Sequence, residues 1–164
     1  RALEGREEML GLKHSSTLIS VNNLALLFSK QNKLDEAESL YKRALEGREE
    51  MLGLKHSDTL RTVNNLAGLF EKQNKLDEAE LLLQRALEGQ EEMLGSNHHN
   101  MLNTKGNLGH CLMLQNNPLG REMVVDAFNK LQQGPNGIKA SHPWYKKFNK
   151  ILNGNRRTLL VATF

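Results

Sequence analysis

Apolar residues recur along the chain in two stripes, each with the period of an α-helix. The first stripe, spaced i, i+3, i+6, i+7 and i+10, consists of Leu18, Val21, Leu24, Ala25 and Phe28. The second consists of Leu34, Ala37, Leu40, Tyr41, Ala44 and Leu45, and it continues to Met51 and Leu52. Such spacings place residues on one face of a helix. A polar turn at residues 31–33 separates the stripes, so the pattern predicts a pair of antiparallel helices.

The helix pair is one unit of a repeat. Gly53 follows the second stripe, as expected of a helix C-terminus, and Ser57 or Asp58 is the predicted N-cap of the next helix. Residues 1–42 and 43–84 are identical at 34 of 42 positions, and a third copy begins at Arg85. A fixed period of this length is typical of helical-repeat arrays.

A single helix pair has no means of burying both stripes, whereas stacked pairs form a continuous core. We therefore predict an all-α fold, a right-handed α-α superhelix with the first helix of each pair on the concave side. Gly5, Gly47 and Gly89 fall inside the second helices, where glycine costs about 1 kcal/mol relative to alanine. We attribute these glycines to the close approach of a neighbouring helix.

Several positions of the unit agree with a known family signature. Leu24, Ala25, Phe28, Ala37, Tyr41 and Ala44 have the spacing of the tetratricopeptide repeat, which this chain resembles. The 42-residue length and the phrases Val-Asn-Asn-Leu-Ala, Leu-Asp-Glu-Ala-Glu, Arg-Ala-Leu-Glu and Leu-Gly-x-x-His look like the kinesin light chain type over residues 1–115. The resemblance implies a solenoid that binds other proteins. Similar repeats also occur in scaffold proteins and as the sensor half of signalling ATPases.

The repeat fades in its third copy, where Lys105 and Gly109 replace Val63 and Ala67. The predicted second helix of this unit carries the stripe Leu119, Met123, Ala127 and Leu131, with Val124 and Phe128. A breaker cluster at residues 133–137 follows it. We assign residues 1–133 to the tetratricopeptide repeats. They comprise part of the second helix of a first repeat, followed by three helix pairs, of which the last is degenerate.

One more helix is predicted to open at His142-Pro143, because proline suits the first helical position. Its apolar face consists of Trp144, Tyr145, Phe148, Ile151 and Leu152. We interpret residues 134–164 as a linker, a terminal capping helix that ends at Asn153-Gly154-Asn155, and a basic tail. Because the chain starts inside a repeat and without a methionine, we expect it to be a piece of a longer protein with a frayed first helix.

The charge is distributed unevenly. All 19 acidic and 15 of the 22 basic residues lie in residues 1–126, whereas residues 127–164 contain seven basic residues and no acidic one. The net charge of +3 therefore does not describe one basic face, and no nucleic-acid motif accompanies the tail. The single cysteine, Cys111, excludes an intramolecular disulfide, and no apolar run reaches the roughly 20 residues that span a bilayer. With no signal-peptide pattern either, we expect a cytoplasmic protein without nucleic acid or membrane as partner.

Catalytic and cofactor motifs are missing from the sequence: there is no Gly-rich phosphate loop, nucleophile elbow or His-Glu-x-x-His pattern. His98, His99, His110 and Cys111 could suggest a metal site, but His98 recurs in the loops as His14, His56 and His142, which favours a capping role. The recurrent pairs Glu7-Glu8, Glu49-Glu50 and Glu91-Glu92 are typical of a solvated outer face rather than of acid–base catalysis. We predict no enzymatic activity, cofactor, metal or small-molecule substrate.

The recurrent asparagines of the first helices need an explanation, because Asn is a mediocre helix former. Asn22-Asn23, Asn64-Asn65 and Asn107 follow this pattern. One interpretation is structural, an amide bonded between adjacent repeats. The other follows from the resemblance, since in peptide-binding tetratricopeptide domains the Asn before Leu-Ala grips the backbone of an extended ligand. This role transfers to Asn23, Asn65 and Asn107, and both interpretations stay open.

Basic residues on the same helices are candidates for selectivity. Arg61 lies one turn before Asn65, and Lys30 and Lys72 lie near the ends of their helices, where they could pair with acidic groups of a ligand. We therefore predict a non-catalytic adaptor or scaffold that binds an acidic extended peptide or a partner helix in the concave groove. The alternative is a sensor or oligomerisation arm of a larger signalling ATPase or other multidomain protein.

Overall fold

The computed structural model describes residues 2–94, 98–133, 139 and 141–159, and the regular structure of these residues is helical. The helices are α1 (Ala2–Leu10), α2 (Ser15–Lys30), α3 (Leu34–Leu52), α4 (Ser57–Lys72), α5 (Leu76–Leu94), α6 (His99–Leu114), α7 (Leu119–Gln133) and α8 (Pro143–Leu159). The chain divides into two compact units, unit 1 over residues 1–93 and unit 2 over residues 94–164. The predicted all-α fold is confirmed for the described part of the chain.

The core of unit 1 consists of the predicted stripes. Its fully buried residues recur at equivalent positions of successive helices, namely Val21, Ala25, Ala37, Ala44, Val63, Ala67, Ala79 and Ala86. Tyr41 is the largest of the buried side chains and fills the space beside these small residues. The expected continuation of the second stripe is wrong, because Met51 and Leu52 are 61% and 40% exposed.

Two of the three glycines inside the second helices lie where a neighbouring helix approaches closely. A Cβ on Gly47 would lie 2.7 Å from the Cδ2 atom of Leu18, and one on Gly89 would lie 3.1 Å from the Cδ1 atom of Leu60. The predicted reason is therefore confirmed for Gly47 and Gly89. Gly5 has no atom within 4 Å of such a Cβ.

Histidines begin the first helix of each repeat. His14, His56 and His98 are the N-caps, and each accepts a hydrogen bond at Nδ1 from the backbone N–H two residues further on. His142 accepts in the same way from Trp144. The capping role of the histidines is confirmed, but the N-cap prediction of Ser57 or Asp58 is wrong. The imidazole satisfies a donor of the first turn that hydroxyl or carboxylate side chains commonly satisfy.

Asparagines end the same helices. Asn32, Asn74 and Asn116 have φ values of 62°, 60° and 62°, in the left-handed region. The next backbone N–H donates back across the turn, as from Lys33 to the carbonyl of Phe28 at 2.9 Å. Asn tolerates this conformation better than other residues with a side chain, so it terminates the helix and reverses the chain.

Ion pairs link each second helix to the second helix, or to the loop, of the preceding repeat. Arg43 pairs with Glu7 and Arg85 with Glu49, both at 2.5 Å. Lys13 pairs with Glu50, and Lys55 with Glu92. The solvated surface expected of the Glu pairs agrees with the exposure of Glu50 and Glu92, whereas Glu7 and Glu49 are half-buried, and all four link one repeat to the next.

Unit 2 contains a closer helix contact than unit 1. A Cβ on Gly109 of α6 would lie 2.6 Å from the carbonyl oxygen of Gly120 in α7. The predicted stripe is confirmed at Val124, Ala127 and Leu131, but its start at Leu119 is wrong, because Leu119 is 59% exposed and Gly120 is buried instead. The buried face of α7 consists of Gly120, Val124, Ala127 and Leu131. The two glycines let the backbones of α6 and α7 approach closely.

Helix α8, the last described helix, packs as a cap on the other helices of unit 2. Phe148 is fully buried in a cluster with Leu102, Val124 and Leu131, and the partly buried residues against it include Trp144, Tyr145, Ile151 and Leu152. The predicted apolar face of α8 is confirmed. The predicted end at residues 153–155 is wrong, since the helix continues to Leu159. The breaker residues 134–137 and the final residues 160–164 lie outside the described part of the chain.

We expect stability to decrease at low pH through Glu38, whose carboxylate accepts from Gln73 and Lys75 and pairs with Lys42. Hydrogen bonds from Lys42 and Lys75 lower its pKa from 4.5 to about 2. Because the folded pKa is below the unfolded value, the stabilisation is present above pH 4.5 and is lost as the pH falls through about 2. Because the lysine partners are exposed and solvent weakens the interaction, we expect Glu38→Gln to reduce the free energy of unfolding by about 1–2 kcal/mol at pH 7. The reduction should become progressively smaller below pH 4.5.

Urea unfolding at pH 7 and at pH 2 measures how much stability Glu38→Gln loses at each pH. Glu88→Gln is the control, because Glu88 is exposed on α5. An equal loss at pH 7 and pH 2 would contradict the assignment.

We expect Gly109→Ala to destabilise unit 2 by about 1–3 kcal/mol, because its methyl group meets a backbone oxygen that has no rotamer to change. Trp144, the only tryptophan of the chain, lies in α8 and reports unit 2 by fluorescence during denaturant unfolding. Gly5→Ala is the control, since nothing lies within 4 Å of its Cβ. Unchanged unfolding of Gly109→Ala would show that α6 and α7 can separate at no cost.

Candidate peptide-binding face

One face of α2 and the equivalent face of α4 stay uncovered in unit 1. Their residues are spaced i, i+4, i+7 and i+11, which places them on one side of each helix. We call this surface the α2–α4 face; it consists of Ile19, Asn23, Leu26 and Lys30 from α2, and Arg61, Asn65, Gly68 and Lys72 from α4. Seven of these residues are exposed and Asn65 is half-buried. Five of the six residues predicted from the sequence lie on this face.

Asn65 connects the two helices of the face. Its Nδ2 donates to Oδ1 of Asn22 at 3.2 Å, and Asn22 is buried. This bond is the inter-repeat amide contact of the structural interpretation. A carboxamide has two N–H donors and an acceptor oxygen, so one such bond leaves it able to bond further groups.

Lys72 makes a second connection between α4 and α2. Its ammonium donates to the carbonyl oxygen of Ser29 at 3.0 Å and to the hydroxyl of Ser29 at 2.9 Å. These neutral acceptors position the charge of Lys72 without cancelling it. The contact fixes a cation at the C-terminal ends of both helices, where the helix dipole also favours positive charge.

Arg61 lies at the opposite end of α4 and pairs with Asp58 at 2.7 Å. Its side chain is 57% exposed, so the pair is solvated and its carboxylate offsets part of the local positive charge. Arg48 is buried beneath it and donates to the backbone oxygen of Asp58 at 2.9 Å. Burial, and then the charge of Arg61, lowers the pKa of the Arg48 guanidinium, while Asp58 raises it.

Asn23 and Lys30 are both exposed on α2. No hydrogen bond or ion pair of either side chain is found within the described residues. Asn107, the sixth predicted residue, lies in unit 2 at the equivalent position of α6. Its Oδ1 accepts from Lys147 of α8 at 2.7 Å, so this amide is engaged by the capping helix.

The sequence interpretation missed three members of the face: Ile19, Leu26 and Gly68. Ile19 and Leu26 are 39% and 40% exposed, and nothing lies within 4 Å of a Cβ built on Gly68. An exposed mid-helix glycine costs about 1 kcal/mol relative to alanine, and no crowding accounts for it here. The sequence signal for Gly68 was the helical spacing from Arg61 and Asn65, which continues to position 68. Ile19 and Leu26 occupy the equivalent positions of α2.

No arrangement of groups typical of catalysis is found in the described ranges. Groups of three or more His, Cys, Asp or Glu that could hold a metal ion are not found there, and Cys111 is buried. The marked pKa shifts have structural causes: burial raises the pKa of Tyr41 to about 12, and the Lys partners lower that of Glu38. Among these residues no helix is long and apolar enough to cross a membrane.

The geometry defines an array of antiparallel helix pairs with one polar, partly basic face on its first helices. The family model of the tetratricopeptide repeat matches residues 1–50, 17–92 and 58–118. The chain belongs to the tetratricopeptide repeat family. Repeats of this family typically mediate protein–protein interactions and are generally non-catalytic scaffolds.

Solved structures show the same fold at low sequence identity. BtubC (BKLC) from P. vanneervenii superposes with a TM-score of 0.72 at 22% identity, over 86% of this chain and 58% of that one. A putative kinesin light chain from P. anserina, with nearly identical repeats, gives 0.71 at 20% identity, over 95% and 76%. The N-terminal domain of stress-induced protein-1 from C. elegans gives 0.56 at 17%, over 83% and 94%.

This chain thus spans 58% of the length of BtubC. No curated protein matches it. The fold is that of kinesin light chain-like repeat proteins, as the sequence resemblance implied.

Proposed function

We propose that the chain is an adaptor or scaffold that binds an extended, acidic peptide along the α2–α4 face. The observation that carries this proposal is the composition of the face, in which exposed Asn23, half-buried Asn65 and three exposed basic residues lie beside two exposed aliphatic side chains. Within unit 1 this surface of the first helices stays uncovered and is available to a partner. Asn107 is proposed to have the same role in unit 2, with its acceptor shared with Lys147.

The amides suit a backbone ligand because a carboxamide matches both the donor and the acceptor of a peptide bond. The contact between Asn65 and Asn22 supports the structural role of these residues, and it also holds the Asn65 amide in place. A positioned amide loses less side-chain entropy on binding than a free one. The two roles are therefore compatible at Asn65, while exposed Asn23 has only the ligand role to explain it.

The basic residues give the face its preference for acidic groups. Lys72 is held by neutral oxygens of Ser29, so its charge is available to a carboxylate of a ligand. Lys30 lies at the equivalent end of α2. Arg61 would exchange its solvated contact with Asp58 for a contact with the peptide, since such exposed pairs contribute only about 0–1 kcal/mol.

The test is selection from a displayed library of random peptides, followed by affinity measurements on the enriched sequences. We expect enrichment of Asp and Glu, a loss of about 1 kcal/mol of binding free energy for Asn65→Ala, and a larger loss for Arg61→Glu. Lys55→Glu is a matched control, because Lys55 has the same 57% exposure and lies off the face. The proposal fails if Asn65→Ala and Arg61→Glu bind every enriched peptide as the unmodified chain does.

A further inference from the structure

We propose that unit 1 binds a short-chain carboxylic acid, as its anion, in a small cavity against the buried guanidinium of Arg48. The cavity has a volume of about 60 Å³. Its lining comes from the loop before α2, the first turns of α2 and α4, and the last two turns of α3. None of the residues of the α2–α4 face lines this cavity, so the inference goes beyond the proposed function and does not depend on it.

The guanidinium of Arg48 is a buried cation without an ion pair among the described residues. The residue is 2% exposed. Its Nη1 donates to the backbone oxygen of Asp58 at 2.9 Å and to the hydroxyl of Thr62 at 2.5 Å, and both acceptors are neutral. A buried charge is costly unless an opposite charge and hydrogen bonds compensate it. An anion that enters the cavity would supply the missing negative charge.

The structural role of Arg48 does not require a positive charge. Arg6, its counterpart one repeat earlier, makes the same two contacts through Nη1, to the carbonyl oxygen of Ser16 and to the hydroxyl of Ser20, but Arg6 is exposed. One repeat later the position is Gln90, which is uncharged and 5% exposed. Since a neutral side chain is accommodated at the same buried position of the repeat, the charge of Arg48 needs another explanation.

Part of the guanidinium remains for a ligand. No hydrogen bond from Nε or Nη2 of Arg48 is found within the described residues, although Nη1 donates twice. Arg48 lines the cavity, so a ligand there lies beside the side chain. Nε and Nη2 form one edge of the planar guanidinium, and two parallel N–H groups match the two oxygens of a carboxylate.

The size and apolar lining of the cavity favour a short acid. Leu18, Met51 and Leu52 contribute apolar surface. A water molecule requires about 10–15 Å³ on this scale, so the cavity accommodates a group of about four or five heavy atoms. That is the size of acetate or propionate, whose methyl or ethyl group would contact the apolar side chains while the carboxylate contacts Arg48.

The charges of the lining match a monoanion. Lys13 and Arg48 are positive and Asp58 is negative, which leaves one excess positive charge. Lys13 pairs with Glu50 and Asp58 pairs with Arg61, so the excess charge is that of Arg48. Burial is the largest influence on the guanidinium of Arg48 and lowers its pKa, and a bound carboxylate would oppose this effect. A dianion such as sulfate would also meet the carboxylate of Asp58.

A ligand in this cavity would contact α2, α3 and α4 together, because all three helices contribute to its lining. These helices belong to two successive repeats. Binding to the folded chain alone stabilises it, so the acid would strengthen the junction between these repeats.

The experiment uses the chain labelled with carbon-13 in its methionine methyl groups and titrated with sodium propionate at constant ionic strength. Met51 lines the cavity, whereas Met9 and Met93 occupy the equivalent positions of α1 and α5. We expect the Met51 signal to shift and to saturate with a dissociation constant on the order of 1 mM, while the Met9 and Met93 signals stay in place. Propionamide, which has nearly the same shape and no charge, should leave the Met51 signal unshifted.

Two variants test the role of the guanidinium. Arg48→Gln should weaken propionate binding at least about tenfold, because a charge-assisted pair is lost. Its fold should be retained, since Gln90 occupies this position one repeat later. Arg6→Gln is the matched control, because it removes the same two contacts from an exposed arginine and should leave the affinity for propionate unchanged. Propionate should raise the Tm of the unmodified chain and of Arg6→Gln, but not that of Arg48→Gln.

The inference is overturned if propionate causes no saturable shift of Met51, or if Arg48→Gln binds propionate as the unmodified chain does. It is also overturned if propionamide or sodium chloride causes the same shift, since the cavity would then be selective for neither charge nor carboxylate. Tighter binding of acetyl-Ala-Ala than of propionate would show that the end of a protein chain, rather than a free acid, is the occupant. These comparisons on the unmodified chain do not depend on the fold of a variant. Peptide binding to the α2–α4 face is tested separately by the displayed library.

Discussion

The repeats depend on small residues at recurrent positions of the buried helix faces. Ala25, Ala37 and Ala44 are completely buried, and each has a small residue at the equivalent position further along the chain. Small side chains let helix axes approach closely, while larger buried side chains such as Tyr41, Leu60 and Leu83 complete the core. Where the contact is closest, between Gly109 and Gly120, even a methyl group is excluded. The spacing of the first helices, and with it the geometry of the α2–α4 face, follows from this packing.

Polar contacts then fix how one repeat lies on the next within unit 1. Asn65 bonds Asn22, Lys72 bonds Ser29, and Glu38 receives Gln73 and Lys75. Each of these contacts alone contributes little to the free energy of unfolding, because its groups are partly exposed to solvent. Together they hold the amide and cation of a candidate site in place, so stabilising contacts and ligand contacts involve the same side chains.

The repeat architecture could be predicted from the sequence because a helical stripe repeated with near identity leaves few alternatives. The errors had local physical causes. Histidine acts as the N-cap where a hydroxyl or carboxylate was expected, because its Nδ1 reaches the same backbone N–H. In α7 a shift of one position puts Gly120 where Leu119 was expected, and a glycine carries no hydrophobic signal that could have revealed it.

The candidate site was predictable only in part for a related reason. Asn65 and Arg61 attract notice as polar residues in a helix, but the openness around Gly68 depends on what lies within 4 Å, which spacing does not report. Gly47 is the same residue type and has the opposite surroundings, with Leu18 against the place where its Cβ would lie. The role of a glycine in a repeat can therefore be interpreted only when the atoms around it are known.

The near identity of the first two repeats, residues 1–42 and 43–84, has a consequence for folding. Because residues 1–42 and 43–84 are nearly identical, the correct stacking register and one slipped by a repeat would bring together nearly the same residue types, and misassembly is characteristic of repeat proteins. The two registers differ at only eight positions of the unit, and Ser29 is one of them, with Glu71 as its counterpart. The hydrogen bonds from Lys72 to Ser29 exist only in the correct register. Lys72 therefore bonds to one of the few positions at which two nearly interchangeable repeats differ.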